Sequence, residues 1–91
     1  MELTYNKLLI LRAIERLSQG NEFRMVHRKT IAEYLGRSLN MVNRLLVELK
    51  KMGLVENPVK GGWRLTEDGR KLLKKLREEA EGKHQKTSKG E

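Results

Sequence analysis

The chain has 91 residues, no cysteine and a formal net charge of +8 at pH 7. This length allows one domain with a small core, and the lack of cysteine excludes disulfides and thiol chemistry. So basic a balance is typical of nucleic-acid-binding domains and unusual for metabolic enzymes, although charge can also serve solubility alone. The first residues contain no basic segment followed by a long apolar run. We therefore expect no signal peptide, no membrane span and a cytoplasmic, nucleoid-associated protein.

The first predicted helix covers residues 3–18 and ends at Gly20-Asn21. Its apolar side is formed by residues at helical spacing, namely Leu3, Leu8, Leu11, Ile14 and Leu17. Leu9 and Ile10 widen this side beyond what one contact requires. The excess surface faces either the rest of the domain or a helix of a second copy, and we favour the second copy.

Residues 23–26 are a short mixed run that predicts a strand of one or two residues, and a second helix follows from His27 or Arg28 to Leu35. Gly36 ends that helix, and Ser38 is placed to cap a third helix over residues 39–52, which stops at Gly53. The apolar stripe of the third helix consists of Val42, Leu45, Leu46, Leu49 and Met52. Two helices joined by so short a turn are a helix-turn-helix, whose second helix is shaped to enter a DNA major groove.

Residues 54–57 and 62–66 predict the two strands of a hairpin, with residues 58–61 as its loop. Thr66 is expected to cap a last helix from Glu67 to about Glu81. The apolar face of this helix is Leu72, Leu73, Leu76 and Ala80. Residues 82–91 contain no apolar side chain and predict a disordered basic tail after a domain of residues 1–81.

The predicted order is helix, short strand, helix, helix, strand, strand, helix. This mainly α chain with a small β-hairpin (α+β) is a winged helix-turn-helix, and the hairpin is the wing. The run TIAEYLGRSLNMVNRLLVELKKMGLVE followed by WRLTEDGRKLLKKL resembles winged-helix transcriptional regulators of the MarR type and their archaeal relatives. Abundant Lys and Glu without cysteine also suit a thermophilic source.

The resemblance covers roughly residues 7–80 and implies a DNA-binding regulator. MarR-type regulators dimerise through longer terminal helices, whereas this chain has little beyond its first and last helices. We expect a homodimer through those two helices. We expect no separate ligand-binding domain, so the resemblance does not imply small-molecule sensing.

Base readout requires side chains that hydrogen-bond base edges from the start of the recognition helix. Asn40 and Asn43 are one turn apart, and an asparagine can form a bidentate pair with adenine. Arg44 can pair with guanine or hold a phosphate, and the resemblance favours the phosphate. The alternative for both asparagines is a solvated helix face. Met41 and Val47 are interpreted as packing residues, with a thymine methyl or a sugar as the alternative for Val47.

Phosphate contacts require donors that flank that helix. The candidates are Arg28 and Lys29 at the start of the second helix, Arg37 and Ser38 in the turn, and Lys50 and Lys51 at the end of the recognition helix. In the wing, Lys60 is predicted at the tip and Arg64 on the returning strand. For each cation taken singly, a solvated side chain is nearly as good an interpretation.

Trp63 is interpreted as a core residue instead of a base-stacking one, and the sequence assigns neither role to Tyr5 or Tyr34. His27 and His84 are far apart with no cysteine near, so no metal and no cofactor is predicted, and His27 is expected to cap a helix or meet a phosphate. No catalytic motif is present, so the chain is not expected to be an enzyme.

These patterns predict sequence-specific binding of double-stranded DNA by a transcriptional regulator. Two alternatives remain open. One is a winged-helix module that docks other proteins of the transcription machinery, whose recognition face would be more apolar. The other is a nonspecific nucleic-acid binder, which needs the cations but not the asparagines.

Overall fold

The computed structural model describes residues 2–89, with the side chains of residues 2–81. Its elements are α1 (Tyr5–Leu17), β1 (Val26–His27), α2 (Arg28–Leu35), α3 (Leu39–Lys51), β2 (Val55–Val59), β3 (Gly62–Leu65) and α4 (Glu67–Lys89). The three strands form one antiparallel sheet in the order β1-β3-β2. The predicted order of elements and the winged helix-turn-helix fold are confirmed.

The helix ends follow from capping residues that the sequence displays. The side chains of Thr4 and Ser38 accept hydrogen bonds from the backbone N–H groups of Lys7 and Met41 and so cap α1 and α3. Gly36 and Gly53 end α2 and α3 in the left-handed conformation, with φ of 66° and 78°. Each is followed by a residue whose N–H bonds back into the helix, which is how such a glycine stop satisfies the last carbonyls.

The core lies between the three N-terminal helices, the sheet and the first turns of α4. Its fully buried large side chains are Ile10, Leu11, Ile14, Ile31, Val42, Leu46, Leu49, Val55 and Leu73. Ile10 therefore belongs to the core of its own chain, and the interpretation that it faces a second copy is wrong. Trp63 is 6% exposed, which confirms its assignment to the core.

The junction between wing and α4 explains the sequence Leu65-Thr66-Glu67-Asp68-Gly69. The Thr66 hydroxyl donates to the carbonyl of Gly53 at 2.6 Å and accepts from the N–H of Gly69 at 3.1 Å. A Cβ at position 69 would lie 2.2 Å from the carbonyl oxygen of Leu54. Glycine at this position therefore allows α4 to pack directly against the backbone that leads into the wing.

The last helix differs from its prediction. Its backbone is helical to Lys89, so the predicted end near Glu81 is too early, because no proline follows and a single glycine at position 82 costs only about 1 kcal/mol. Leu73 is buried and Leu72 and Leu76 are half-buried, but Ala80 is exposed and contributes nothing to the core. The disordered basic tail predicted for residues 82–91 stays a prediction, since the side chains of these residues lie outside the described part of the chain.

Candidate nucleic-acid interface

The outward face of α3 is a continuous polar stripe. Val42, Leu45, Leu46 and Leu49 face the core. Helical periodicity places four exposed residues on the opposite side, namely Asn40, Arg44, Val47 and Lys51. Asn43 is half-buried and Lys50 is exposed, and both flank one side of the stripe. Of the predicted readout residues, Asn40 and Arg44 thus lie on a face that the other described side chains leave exposed, and Asn43 lies at its edge.

Val47 was interpreted as a packing residue, and this interpretation is wrong. Its side chain is 47% exposed, on the same stripe as Arg44 and one turn further along the helix. Met41, by contrast, is half-buried and packs against the core, as expected. The exposure of Val47 follows from its place seven residues after Asn40, which is two turns along the same face.

The N-terminus of α3 lies at the tight turn of the helix-turn-helix. The Ser38 hydroxyl is occupied as the helix cap, so it accepts from Met41 N at 3.1 Å. A phosphate at this end would therefore meet backbone N–H groups and the positive end of the helix dipole. Arg37 is exposed in the same turn, and its backbone N–H is held by the carbonyl of Ala32 at 3.0 Å.

The start of α2 lies directly against the turn of the wing. The backbone N–H of Arg28 donates to the carbonyl of Gly61 at 3.1 Å. His27 caps α2, because its Nδ1 accepts from Lys29 N at 3.1 Å. These contacts bring the predicted phosphate donors Lys29 and Lys60 to neighbouring parts of the surface. Arg28 is half-buried and its Nε lies buried without a hydrogen-bond partner among the described residues, so it is the least accessible of these cations.

The wing is tighter than predicted. β2 runs to Val59, so the turn consists of Lys60 and Gly61 instead of residues 58–61. The amide nitrogen of Asn57 donates to the carbonyls of Val59 and Gly62, at 2.7 and 2.6 Å, and so ties the two strands together just before the turn. Pro58 is tolerated in the strand because the pairing is irregular between Glu56 and Val59.

The charged group of Arg64 is not free at the surface of the wing, because it is bonded to neighbouring residues. Its Nε pairs with the carboxylate of Glu56 across the strands, and its Nη1 donates to the carbonyl of Phe23 at 3.4 Å. The two-residue turn pairs Val59 with Gly62, and the irregularity between Glu56 and Val59 then shifts the pairing by one residue, which places Glu56 opposite Arg64. These contacts hold Arg64 against Glu56 of β2 and the loop before β1, apart from the tip of the wing.

Acidic side chains neutralise cations elsewhere and leave the predicted interface positive. Within residues 2–81, ion pairs join Lys7 to Glu48, Arg64 to Glu56, Arg70 to Glu22, Lys71 to Glu67, and Arg77 to Glu15. None of these pairs includes Lys29, Arg37, Arg44, Lys50, Lys51 or Lys60. All six of those side chains are exposed.

One supporting residue of the recognition helix is absent from the sequence-based prediction. Lys7 on α1 is only 4% exposed, and its Nζ lies 3.1 Å from Oε1 of Glu48 on α3 and 2.9 Å from the carbonyl of Glu2. The spacing of Lys7 from Ile10, Leu11 and Ile14 would have placed it on the buried face of α1. Its partner Glu48 lies 41 residues later in the sequence, so the local spacing could not predict the pair.

Two further properties of the described residues bear on the site. No group of three or more His, Asp or Glu side chains within residues 2–81 is arranged to hold a metal ion. In the same part of the chain, no helix combines the length and apolar character that crossing a membrane requires.

Comparison with known proteins agrees with this geometry. Residues 26–55 match the family model described as bacterial regulatory proteins, crp family. The matched segment begins at β1, contains all of α2 and α3 and ends at the first residue of β2, so it is the helix-turn-helix itself. It supports a DNA-binding helix-turn-helix of a regulatory type, and it does not single out the MarR-like or archaeal type. No curated protein and no solved structure matches the chain.

Proposed function

We propose that the protein is a transcriptional regulator that binds double-stranded DNA in a sequence-specific manner, with α3 in the major groove and the wing on the adjacent backbone or minor groove. The observation that carries this proposal is the uncovered stripe of Asn40, Arg44, Val47 and Lys51 on a helix whose other face is fully packed. A major groove admits an α-helix and presents base edges to it.

The proposed base contacts come from Asn40, Asn43 and Arg44, near the start of α3. The exposed methyl groups of Val47 lie on the same stripe and suit contact with a thymine methyl. Each good bidentate pair contributes about 1–3 kcal/mol of discrimination against the wrong base. Two asparagine pairs alone would then separate the target from a scrambled sequence by roughly a hundredfold.

The proposed phosphate contacts surround that helix. Arg37 and the N–H groups after Ser38 hold one end, Lys50 and Lys51 hold the other, and Lys29 and Lys60 act together where α2 meets the wing. Arg28 contributes mainly by fixing that junction, because its backbone N–H is bonded to Gly61. Arg64 is left out of the contact surface because Glu56 already compensates its charge.

We further propose that two copies assemble on the DNA through α1 and α4. Leu9 and Leu76 remain half-buried and Ala80 exposed, and a second copy would cover them. A symmetric dimer requires a near-palindromic target with half-sites about one helical turn apart. Sedimentation that detects only monomer, both at tens of micromolar protein and on the bound DNA, would contradict this part. Such a regulator would act in the cytoplasm, on the nucleoid.

The experiment that tests the proposed function is selection of bound duplexes from a random pool, followed by salt titration of the enriched sequence. We expect an enriched motif and an affinity that falls with salt as phosphate counterions are released. Lys51→Gln should make the negative slope of log K against log salt less steep by about one, because one phosphate contact is lost. The control Lys71→Gln removes a lysine paired with Glu67 on α4 and should leave the slope unchanged.

The other outcomes identify the two alternative functions. Salt-sensitive binding with no enriched motif would indicate a nonspecific nucleic-acid binder. No binding even at low salt would contradict DNA binding and indicate a protein-docking module.

A further inference from the structure

A second cationic site lies on a different part of the domain from α3. The C-terminal end of α1, the loop before β1, strand β3 and the first turns of α4 enclose a cleft of about 230 Å³. Its lining includes two carboxylates, Glu15 and Glu22, and five cationic side chains, namely Arg24, Arg64, Arg70, Lys74 and Arg77. No residue of α2 or α3 lines this cleft, so the proposed DNA contacts do not account for its charge.

Three of the five cations are held in place by acids, and the first is Arg64, which pairs with Glu56. Arg77 Nη1 donates to both carboxylate oxygens of Glu15, at 3.0 and 2.9 Å, and Arg70 Nε lies 3.3 Å from Glu22. The hydrogen bonds and the charge of Glu15 raise the pKa of Arg77 above its ordinary value. Arg70 also donates to the carbonyl of Leu65 at 3.1 Å, which fixes it to the end of β3.

The remaining two cations have no acidic partner among the described side chains. Lys74 makes no ion pair there, and Arg24 makes one long hydrogen bond, from Nη1 to Oε1 of Gln19 at 3.5 Å. The cleft thus combines fixed guanidinium groups with two uncompensated charges. Like charges brought together in a concave surface repel one another unless an anion joins them.

We propose that this cleft binds a small polyanion that carries phosphate or several carboxylate groups. Lys74 and Arg24 supply the charges that the ligand neutralises, and the N–H groups of the fixed arginines supply directional hydrogen bonds. The volume of the cleft, about 230 Å³, fits a molecule of a few groups. Because Arg64 belongs to β3, the bound anion would touch the strand that carries the wing.

The test is isothermal titration of the full chain with pyrophosphate and, separately, with citrate. We expect saturable binding of at least one of these probes at one site, and the tighter of the two shows which anion chemistry the cleft prefers. Lys74→Gln and Arg24→Gln should each weaken that binding by about tenfold, the effect of losing one charge-assisted contact. Lys75→Gln, the adjacent exposed lysine that does not line the cleft, should change it less than twofold.

Three results would overturn the proposal. The first is no saturable binding of either probe at millimolar concentration. The second is an equal loss of anion affinity in all three glutamine variants, which would show that the anion responds to the overall positive charge of the protein instead of to a specific site. The third is a parallel loss of DNA affinity in Lys74→Gln, which would make the cleft part of the DNA surface. Circular dichroism of each variant establishes that its fold is intact before the titrations are compared.

Discussion

Replacing Gly69 with alanine should destabilise the domain although it improves the helix propensity of α4. Alanine in place of glycine within a helix contributes about 1 kcal/mol of stability. The new Cβ, however, would lie 2.2 Å from the carbonyl oxygen of Leu54, and ordinary van der Waals contact begins near 3.4 Å. Because the Leu54 oxygen is a backbone atom and cannot rotate away as a side chain could, α4 or the start of β2 has to move by about 1 Å.

The cost of that movement has two parts. Overpacking that shifts backbone costs roughly 1–3 kcal/mol. The carbonyl of Leu54 also accepts the N–H of Thr66 at 3.1 Å, and a strained hydrogen bond there loses about 1 kcal/mol. After the gain in propensity, Gly69→Ala should lower the free energy of unfolding by about 2 kcal/mol. For a domain of this size, that corresponds to a Tm lower by roughly 10 °C.

Urea and thermal unfolding, followed by circular dichroism and by the fluorescence of the buried Trp63, measure this change. Gly36→Ala is the matched control, since position 36 has open space for a Cβ but a φ of 66°. It should cost about 1 kcal/mol from backbone strain alone. If Gly69→Ala is as stable as the original chain, or less damaging than Gly36→Ala, the reasoning from the close contact at Leu54 is refuted.

Three more predictions concern the support of the recognition helix and the wing. Glu48→Gln should lower the free energy of unfolding by about 1–3 kcal/mol, since it leaves the Lys7 ammonium buried without its carboxylate partner. Adding Lys7→Met should recover most of this loss, as measured by urea titration, and no recovery would contradict this account. Asn57→Ala removes two hydrogen bonds at the wing turn and should lower DNA affinity several-fold in anisotropy titrations while the helical circular dichroism stays unchanged. An unaltered affinity would show that the wing does not need this brace. Ser38→Ala should cost about 1 kcal/mol by removing the cap of α3, whereas Ser38→Asp should retain most of that stability.

The order of elements could be predicted from the sequence because its signals are local. Helical spacing of apolar residues, the caps at Ser38 and Thr66 and the glycine stops at Gly36 and Gly53 each depend on a few neighbouring residues. The outward face of α3 followed from the same periodicity, since fixing which side is buried fixes which side is free. The interpretation of Val47 as a packing residue is wrong because it rests on the residue type instead of the position, which lies two turns after Asn40 on the outward face.

Features formed by distant residues could not be predicted in this way. The pairing of Lys7 with Glu48 depends on how α1 crosses α3. The partner of Arg64 depends on the register of the hairpin, which is set by the turn at Lys60-Gly61 together with the irregularity between Glu56 and Val59. The cationic cleft joins residues of α1, a loop, β3 and α4, and no stretch of the sequence contains more than part of it.

The most direct test of sequence-specific binding compares the selected duplex with a scrambled duplex for the original chain and for Asn40→Ala combined with Asn43→Ala. We expect the original chain to prefer the selected duplex by about a thousandfold or more. The double variant should lose roughly a hundredfold of that ratio while its affinity for scrambled DNA stays the same, because base contacts are lost and phosphate contacts are not. A ratio that the double substitution leaves unchanged would contradict the assignment of base readout to these asparagines on α3.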